Sequence, residues 1–499
     1  MGLCILHVAS ECAPFAKVGG LGDVVHALPI ATAALGHDVR VLLPRYDWID
    51  TRDLRKHARP LGIPLGEGQG EVWCAVYEKH IRNVTYYFLE HDAFYARGYV
   101  YDPKSGFTSD NLLRFGTLCR AAFQIARSQH FMPDIFHAHD WPCALLPVML
   151  NTTESEVFGG SASVLTIHNL AHQPRFPLWD LLNLDVPASE FRPDSLESEG
   201  AVHPLKGGLY HATKLTTVSP TYAREIRTPA GGVGLDPVLD FRGADFVGIL
   251  NGIDAHEWNP ETDPYLPTHF SARDLAGKAK CKRALLREVG LGEMGLSGPS
   301  GKAKNKTPLV AMVSRLNEQK GMDVMLAAMP ELLKLDAQWV VLGAGDSELE
   351  QGLRNLAEQF PDQLRVHIGF DEGLAHRIEA GADVFLMPSR YEPCGLNQMY
   401  SQRYGTLPIV RATGGLVDTV TQCDLENSSD NKAGTGFLFN DLTPEALVNT
   451  VGWALEIWRK QPETWRRMQQ AAMSRNFDWS VSAKEYVRVY EWALAAKRG

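Results

Sequence analysis

Short apolar runs alternate with helix-length segments along almost the whole chain, and this alternation is the feature that most constrains the fold. The first apolar run, 4–9, is followed by a glycine-rich turn, a helical pattern over 23–35 and a second apolar run at 39–44. A strand, a helix and a second strand in this order form a βαβ unit with parallel strands. The N-terminal 44 residues therefore predict the start of a parallel sheet with helices on its faces.

The alternation continues through the first half of the chain and then begins again. Further strand-like runs in the first half lie at 72–78, 84–90, 134–139, 163–168 and 214–219, with a helical pattern at 111–129. Runs in the second half lie at 309–314, 339–345, 365–370, 383–389, 407–412 and 436–439. A chain of 499 residues is also longer than one hydrophobic core usually supports. The sequence therefore predicts an α/β protein with two doubly wound, Rossmann-like domains.

The junction between the two series predicts the domain boundary. Glycine, asparagine and proline interrupt every periodicity at 248–260, as is typical of a linker. We expect the first domain to cover 1–250 and the second to begin at 251. The stretch 296–308, rich in glycine, serine and lysine, has no apolar periodicity and is expected to be an exposed loop.

The charge balance excludes two classes of partner. The chain has 49 Lys and Arg residues against 59 Asp and Glu residues, a net charge of -10. A negative protein repels a phosphate backbone, so neither nucleic acid nor an anionic membrane is expected as the main partner. Any anionic ligand must therefore be held by a local cluster of cations and backbone N–H groups.

The cysteines and the N-terminus predict the compartment. The eight cysteines, which lack any spacing typical of a zinc site, are Cys4, Cys12, Cys74, Cys119, Cys143, Cys281, Cys394 and Cys423. Reduced thiols in a cytoplasmic compartment are expected. The apolar run 3–9 is short and lacks a basic flank, so it is interpreted as a buried strand rather than a signal peptide. The chain is expected to start near Met1, and a plastid location requires a transit peptide that has been removed.

The segment KVGGLGDV (17–24) follows a strand and opens a helix. Backbone N–H groups and the helix dipole favour an anion at such a place, and Gly19, Gly20 and Gly22 would let a phosphate approach the backbone closely. The spacing fits neither a dinucleotide fingerprint nor a P-loop. Taken alone, the segment is equally well interpreted as a tight turn with a solvated Lys17.

Three segments of the second half repeat this device, a strand end followed by the start of a helix. In SRLNEQKG (314–321), Arg315 and Lys320 follow a strand, at the sheet edge where open α/β sheets bind ligands. Glu392 lies in PSRYEPCGLNQMYSQRYG, and ATGGLVDTV adds a glycine pair at a helix start. Each cation alone could be an ordinary surface charge. Together the three segments favour a ligand that carries phosphate.

Two further strands end in histidine-containing segments. In DIFHAHDWP (134–142), His137 and His139 fall on the same side of a strand, which invites a metal site, but the pattern stops at Trp141. We therefore expect no metal, and the alternative is a pair of core histidines. His168 in TIHNL is either a packed, hydrogen-bonded residue or, because it ends a strand, a catalytic one.

These segments together resemble the bacterial glycogen synthase and plant starch synthase family, glycosyltransferase family 5, which has the GT-B fold. KVGGLGDV, HDWP, TIHNL, SRLNEQKG, SRYEPCGLNQMY and TGGLVDTV occur in the order of that family over nearly the whole chain. The resemblance implies two Rossmann-like domains that face an interdomain cleft. It also implies a second domain over 251–476 and a C-terminal helix, 477–499, that crosses back to the first domain.

The resemblance implies a reaction: transfer of glucose from ADP-glucose to the non-reducing end of an α-1,4-glucan such as glycogen, starch or a maltooligosaccharide. The anomeric configuration would be retained, with no cofactor and no essential metal. The implied catalytic residues are Glu392, Lys320, Arg315 and His168. The implied substrate-binding residues are Lys17, Gly19, Gly20, Asp23, Asp140, Trp141, Asn169, Asn251, Phe370, Cys394, Gly395, Leu396, Thr413, Gly414 and Gly415.

The resemblance also implies a role for several of these residues. Lys17, Gly19 and Asp23 would lie beside the donor and the acceptor, and Arg315 and Lys320 would neutralise the departing diphosphate. Glu392 would favour the positive charge that develops on the sugar, with Cys394, Gly395 and Leu396 forming the same loop. His168 would bond a glucose hydroxyl, Asp140 and Trp141 would face the acceptor, and Asn251 would lie at the interdomain join.

Two positions depart from the pattern of related enzymes. Tyr400 stands where related retaining transferases carry a second glutamate, which we interpret as a mark of the subtype. Phe370 stands where many relatives have a tyrosine beside the adenine, so stacking is kept while a hydroxyl is lost.

Two alternative functions stay open from the sequence. The chain could be a related transferase that uses UDP-glucose or another acceptor, or it could be an inactive glucan-binding scaffold. The oligomeric state is not predicted. No covalent nucleophile is evident in the first half, which favours a front-face mechanism in which the diphosphate helps to take the acceptor proton. Because the motifs are divided between both domains, closure about hinges at 248–260 and 475–480 is expected.

Overall fold

The computed structural model describes residues 2–66, 70–102, 109–292, 307–424 and 434–499. The chain forms two compact units, one of Met1–Gly252 with Trp479–Gly499 and one of Ile253–Asp478. The sequence-based boundaries at 250 and 476 lie next to these junctions. Most of the expected loop at 296–308 lies outside the described residues.

The first unit is built on one large sheet. Its strands are β1 (Cys4–Val8), β2 (Asp38–Pro44), β3 (Arg55–Lys56), β4 (Leu61–Pro64), β5 (Glu71–Ile81), β6 (Val84–Glu90), β7 (Ile135–His139), β8 (Ala162–Ile167), β11 (Lys214–Thr217) and β12 (Phe246–Gly248), and the short pair β9 (Glu197–Ser198) and β10 (Ala201–Val202) lies apart. Its helices are α1 (Gly20–Ala33), α2 (Asp92–Tyr95), α3 (Asn111–Ser128), α4 (Asp140–Cys143), α5 (Leu145–Asn151), α6 (Ser155–Phe158), α7 (Leu178–Leu182), α8 (Pro204–His211), α9 (Pro220–Glu225), α10 (Asp236–Phe241) and, from the C-terminus, α19 (Trp479–Arg498).

The order of strands fixes where the first unit can bind a ligand. The main path of the sheet runs β12-β11-β8-β7-β1-β2-β6-β5-β3. The path from β12 to β6 is parallel, while β5 pairs antiparallel with β6 and β3 and β4 pair antiparallel with β5. The chain leaves β1 towards β2 on one side and returns to β7 on the other, which is a topological switch point. The carboxyl ends of β1 and β7 therefore border a crevice of the kind that binds ligands.

The second unit is a smaller doubly wound sheet. Its strands are β13 (Leu309–Val313), β14 (Gln338–Gly343), β15 (Leu364–Ile368), β16 (Val384–Met387), β17 (Leu407–Arg411) and β18 (Phe437–Phe439). Its helices are α11 (Ala276–Glu288), α12 (Met322–Leu332), α13 (Ser347–Gln359), α14 (Glu372–Gly381), α15 (Asn397–Arg403), α16 (Gly414–Thr419), α17 (Pro444–Lys460) and α18 (Pro462–Met473). The order β15-β14-β13-β16-β17-β18 is fully parallel, with the switch point between β13 and β16.

Alternate residues of the central strands of this unit pack into different cores. Val310 and Met312 of β13 belong to the cluster formed with α12 and α17, whereas Leu309 and Ala311 belong to the cluster formed with α11 and α14. Successive side chains of a strand point to opposite faces, so a strand covered on both faces is apolar at every position. This is why the strands of the second half read as continuous apolar runs, and it confirms the predicted doubly wound fold.

The C-terminal helix α19 packs on the first unit. Tyr490 of α19 places its hydroxyl 2.8 Å from Nδ1 of His137 in β7, and Ser482 donates a hydrogen bond of 2.6 Å to the carbonyl of Leu250. Both contacts lie within the first compact unit. Within the described residues, no helix is long and apolar enough to cross a membrane.

Candidate active site

Lys320 and Glu392 form an ion pair at the switch point of the second unit. Lys320 lies on the loop after β13 and Glu392 on the loop after the adjacent parallel strand β16, so both lie at the carboxyl edge of the sheet. The distance from Lys320 Nζ to Glu392 Oε2 is 2.6 Å, and Ser389 donates a second hydrogen bond to the same oxygen at 2.9 Å. Glu392 is only 4 % exposed. A cation and a carboxylate are thus held side by side at the edge where this fold binds ligands.

The loop after β13 is shaped by a local cap. Asn317 accepts a hydrogen bond of 3.1 Å from the backbone N–H of Lys320, which begins a single helical turn, Glu318–Lys320. Gly321 then adopts a left-handed conformation (φ 70°), and a Cβ there would lie 1.9 Å from the carbonyl oxygen of Pro388. Glycine is therefore required for the loops after β13 and β16 to meet. Arg315, in contrast, is exposed, and within the described residues its side chain donates one hydrogen bond, to Gln319 at 3.3 Å.

The glycines around Glu392 are required by the close packing of its loop. Gly414 has φ 47°, and a Cβ there would lie 1.9 Å from the carbonyl oxygen of Glu392. A Cβ at Gly415 would lie 2.3 Å from the carbonyl oxygen of Cys394, and the N–H of Gly415 donates to the Glu392 carbonyl at 3.1 Å. The glycine pair thus lets the start of α16 pack against the loop that carries Glu392. The sequence predicted an anion site at the start of this helix, and in the structure the N–H of Gly415 there donates to the protein's own carbonyl.

The other predicted residues of this unit lie in the same two loops or next to them. Gly395 has φ 72° and Leu396 is the N-cap residue of α15, while Cys394 and Thr413 are buried. The structure thereby groups the 392–396 segment with the start of α16.

Phe370 and Tyr400, the two departures from the family pattern, have contrasting surroundings. Phe370 follows β15 and is 88 % exposed, the most exposed large apolar side chain among the described residues. Tyr400 is buried, and its ring stacks on Trp258 with centroids 3.8 Å apart and planes inclined by 11°. An apolar ring left in water is available for stacking, whereas Tyr400 is a packed core residue.

In the first unit, the glycine-rich loop lies at the carboxyl end of β1, beside the switch point. Lys17 Nζ lies 2.7 Å from Asp23 Oδ1, so the two predicted ligands of the donor pair with each other. A Cβ added to Gly19 or Gly20 would meet nothing within 4 Å, and neither residue has positive φ. The protein's own packing therefore does not require these two glycines, unlike Gly414. Space left open in this way suits close approach of a ligand.

Glu11, which no sequence motif marked, accepts hydrogen bonds from the backbone of this loop. Its Oε2 accepts hydrogen bonds from the N–H groups of Val18 at 2.6 Å and Gly19 at 3.0 Å. Tyr101 donates a third bond to Oε1 at 2.5 Å. Burial raises the pKa of Glu11, against the opposing effect of these bonds. The N–H of Gly19 is thus occupied by a carboxylate of the protein, so an anion bound here would have to use other groups of the loop. No sequence pattern marks a lone glutamate before such a loop.

The predicted histidines belong to a buried chain of rings. Nδ1 of His7 in β1 lies 3.1 Å from Nε2 of His139, and Nδ1 of His139 lies 3.0 Å from Nε2 of His168. Burial lowers the pKa of His7 and of His168 to about 3, and holds the pKa of His139 well below its usual value. All three rings are therefore neutral at physiological pH. His7 was missed from the sequence because a lone histidine in a strand carries no signal.

Asp140 supports the segment that carries His168. Its Oδ1 accepts hydrogen bonds from the backbone N–H groups of His168 at 2.7 Å and of Asn169 at 3.4 Å. Asp140 itself adopts φ 54°, and burial raises the pKa of its carboxyl to about 7. Its neighbour Trp141 is buried with its ring 5.3 Å from that of Phe115. Asp140 and Trp141 thus both contact neighbouring residues of the first unit, and their expected role beside the acceptor stays a prediction.

Asn251 is buried at the end of the first unit. Its Oδ1 has no hydrogen-bond partner within the described parts of the chain. An unpaired buried acceptor is uncommon in native proteins, which distinguishes this amide from its neighbours, and its predicted role in binding substrate stays a prediction.

The histidine cluster has the composition of a metal site but a different bonding pattern. Ligand atoms of His7, His137 and His139 lie within 4.8 Å of one another. Both ring nitrogens of His137 are already engaged, Nδ1 with Tyr490 at 2.8 Å and Nε2 with Thr166 at 2.7 Å. Metal ligands need a free lone pair directed at the ion. The geometry favours the hydrogen-bonded core histidines over the metal site.

The chain matches known protein families over most of its length. A family model described as the starch synthase catalytic domain matches residues 4–241, and one described as glycosyl transferases group 1 matches residues 299–475. A relative named Glycogen synthase 1, from Geobacter metallireducens, is 45% identical over 505 residues, which cover 100% of this chain and 97% of the relative. A Glycogen synthase from an Anaeromyxobacter species is 48% identical over 495 residues, 99% of each chain. This chain belongs to the glycogen and starch synthase family.

Solved structures agree with this membership. The catalytic domain of starch synthase IV from Arabidopsis thaliana, bound to ADP and acarbose, superimposes with a TM-score of 0.89 at 33% identity and covers 99% of this chain and 100% of its own. A sucrose-phosphate synthase from Thermosynechococcus elongatus, at 17% identity and a TM-score of 0.61 with 99% of each chain covered, shares the fold. The protein is a glycosyltransferase with the two Rossmann-like domains of the GT-B fold, as the motifs predicted.

Proposed function

We propose that this member of the family transfers glucose from ADP-glucose to the non-reducing end of an α-1,4-glucan with retention of configuration. The observation that carries the proposal is the contact of 2.6 Å between Lys320 Nζ and Glu392 Oε2 at the switch point of the second unit. The Arabidopsis relative supports the substrates, because its structure contains ADP and acarbose.

The departing diphosphate is neutralised by Lys320 and Arg315. Arg315 is exposed, and its side chain has one hydrogen bond to the parts of the chain that the structure describes, at 3.3 Å to Gln319. Its guanidinium can therefore turn to a phosphate at the cost of one weak bond. Lys320 is held beside Glu392, and an incoming phosphate would share its ammonium group. Lys320 is already held in place by its ion pair with Glu392, and a cation fixed where charge develops lowers the barrier without reorganising during the reaction.

Glu392 acts on the sugar. Glycosyl transfer passes through an oxocarbenium-like state, whose positive charge a nearby carboxylate stabilises. Lys320 and Ser389 both bond Oε2 of Glu392, which orients the carboxylate group and leaves Oε1 as the oxygen for the sugar. The acceptor proton would pass to the departing diphosphate in a front-face reaction.

Phe370 is the base-stacking residue in this proposal. At 88 % exposure its ring has room for a planar base, and stacking of this kind does not need the hydroxyl that many relatives carry. The choice of adenine over uracil would then come from the larger stacking area of a purine.

The acceptor would be bound beside the glycine-rich loop. A pocket of about 500 Å³ there is lined by Lys17, Trp48, Tyr99 and Tyr101, among others. The ring of Trp48 stacks on Tyr46 with centroids 4.8 Å apart and is half-exposed. Aromatic rings fixed at the rim of a pocket present the flat apolar faces on which sugar rings stack.

Release of ADP tests the proposal against its two alternatives. The purified chain is incubated with ADP-glucose or UDP-glucose, each with and without glycogen, and nucleotide release and glucan length are measured. We expect glycogen-dependent release of ADP together with chain extension. A higher kcat/KM for UDP-glucose would favour the other donor, and binding of glycogen without nucleotide release from either donor would favour the scaffold.

A further inference from the structure

Three buried histidine rings form one chain of hydrogen bonds that ends at the catalytic candidate His168. His7 lies at its inner end, His139 in the middle and His168 at its outer end, with nitrogen–nitrogen distances of 3.1 and 3.0 Å. His7 and His139 are completely buried, whereas His168 keeps 8 % of its surface exposed. Nδ1 of His168 has no partner within the described parts of the chain.

The tautomers of the three rings depend on one another. A neutral imidazole has one N–H and one lone pair, so each ring in the chain donates at one nitrogen and accepts at the other. The rings are neutral because burial disfavours the charged form of each. Only two arrangements satisfy both contacts, one in which every bond runs from His7 towards His168 and one in which every bond runs the other way.

The inner end of the chain decides between these two arrangements. Nε2 of His7 is buried and has no hydrogen-bond partner within the described residues. If the bonds ran inwards, this nitrogen would carry an N–H without an acceptor. If they run outwards, it carries only a lone pair. A buried N–H without a partner is rarer in native proteins than an acceptor that is not satisfied. The outward direction is therefore favoured.

We propose that His7 and His139 are positioning residues that fix the tautomer of His168, so that its Nδ1–H donates a hydrogen bond to an oxygen of the bound sugar nucleotide or glucan. His7 donates to His139, and His139 donates to Nε2 of His168. The inference rests on the proposed function, because that function brings an oxygen-rich substrate to His168.

The arrangement also limits what His168 can do. Its Nε2 is occupied by the bond from His139 and its Nδ1 already carries a proton, so the ring cannot take a proton from the acceptor hydroxyl. This agrees with a front-face reaction in which the leaving diphosphate takes that proton. His137 keeps the middle ring in place, since it stacks on His139 with centroids 4.2 Å apart and is itself anchored by Tyr490.

The tautomers can be measured directly. Two-bond ¹H–¹⁵N correlation spectra of the full chain labelled with ¹⁵N-histidine distinguish Nδ1–H from Nε2–H rings, and His168→Gln and His7→Gln assign the two signals. We expect the Nδ1–H tautomer for both His7 and His168. An Nε2–H tautomer at His168, or an equal mixture of the two, would overturn the proposal.

A pair of amide variants separates orientation from packing. The amide nitrogen of asparagine lies near the position of Nδ1 of a histidine, whereas that of glutamine lies near Nε2. His7→Asn can therefore still donate to His139, while His7→Gln cannot, although glutamine fills more of the histidine volume. We expect kcat of His7→Asn to exceed that of His7→Gln by about tenfold, the effect of one hydrogen bond at the reacting group. A purely structural role predicts the reverse order.

These measurements separate failure of the inference from failure of the proposed function. If the parent enzyme extends glycogen but His168 is the Nε2–H tautomer, only the chain of tautomers is wrong. If the parent releases no nucleotide from ADP-glucose, the proposed function is wrong, and so is the role of His168 in binding that substrate. The spectra would still report the direction of the hydrogen bonds between the three rings.

Discussion

The second unit has two lysine–carboxylate pairs that lie at opposite ends of its parallel strands. One pair can therefore serve as the control for the other in a test of catalysis. Lys320 pairs with Glu392 after the carboxyl ends of β13 and β16, whereas Lys282 pairs with Asp383, just before the start of β16, at 2.5 Å. We expect Lys320→Ala and Glu392→Ala each to lower kcat on the order of a hundredfold or more, with little change in the KM for the donor. Steady-state rates of ADP release measure both constants.

Lys282→Ala is the control for this prediction. It breaks an ion pair of similar burial, so it should lower the Tm while kcat per folded enzyme stays within a few-fold of the parent. If Glu392→Ala lost no more activity than Lys282→Ala, the assignment of Glu392 to the reacting sugar would be wrong.

The raised pKa of Asp140 leads us to expect that the stability of the protein falls as pH rises. Its pKa is about 7 in the folded chain and about 3.9 in an unfolded one, so the folded state binds more protons between pH 4 and pH 7. The free energy of unfolding therefore falls as pH rises through this range, by up to about 4 kcal/mol. Asp140→Asn keeps an oxygen acceptor and removes the charge. We expect its Tm to exceed that of the parent by several degrees at pH 8 and to match it near pH 4. A difference in Tm that did not change with pH would contradict this account.

At the residue scale, the residues that occur in motifs were predicted from the sequence. The residues that hold those motif residues in place by hydrogen bonds were not. Lys320 and Glu392 were predicted because each lies between the end of a strand and the start of a helix, and because the family resemblance implied a role for each. Glu11, His7 and Ser389 were not, because each acts through a contact between segments distant in the chain or through a single bond that no local pattern encodes. The residues predicted to bind substrate remain predictions.

At the scale of elements, the glycine-rich loop and α1 offer a second matched test. A Cβ at Gly20, the first residue of α1, would meet nothing within 4 Å, and alanine favours a helix over glycine by about 1 kcal/mol. Gly20→Ala should therefore leave the Tm unchanged or raise it slightly. If donor or acceptor approaches this backbone closely, kcat/KM should fall by about tenfold or more, as measured by ADP release.

Gly452 in the middle of α17 provides the control. A Cβ there would lie 3.9 Å from Leu335, an ordinary contact, and the helix is remote from the predicted motifs in the sequence. Gly452→Ala should raise the Tm and leave kcat/KM unchanged. Equal activity of both variants would show that no ligand approaches Gly20.

The elements themselves were mostly predictable, because strands covered on both faces are apolar throughout. The runs at 84–90 and 309–314 correspond to β6 (Val84–Glu90) and β13 (Leu309–Val313). The direction of β5 was not predictable, since an antiparallel strand and a parallel one can share the same composition when one face is covered. A second requirement for Gly414 and Gly415 was also not predictable, because a Cβ at either position would clash with the carbonyl group of Glu392 or of Cys394, which are distant in the chain. The binding of substrate by these two glycines stays a prediction.

At the scale of the whole molecule, the proposed chemistry needs no divalent metal. In the proposed reaction, Arg315 and Lys320 would neutralise the diphosphate. The buried rings of His7, His137, His139 and His168 have hydrogen bonds to one another or to hydroxyl groups. Dialysis against EDTA should therefore leave the rate of glucan extension unchanged. Loss of activity that Mg²⁺ restores would contradict this part of the account.

The family was predicted from the order of motifs along the whole chain. The most direct test of the proposed function measures the whole reaction, from donor to product, in one assay. ADP-glucose labelled in the glucose is incubated with a maltooligosaccharide, and released ADP, product length and the configuration of the new linkage are measured together. The account predicts one ADP released per glucose added, at the non-reducing end and in an α-1,4 linkage. ADP release without extension, or a β linkage in the product, would contradict it.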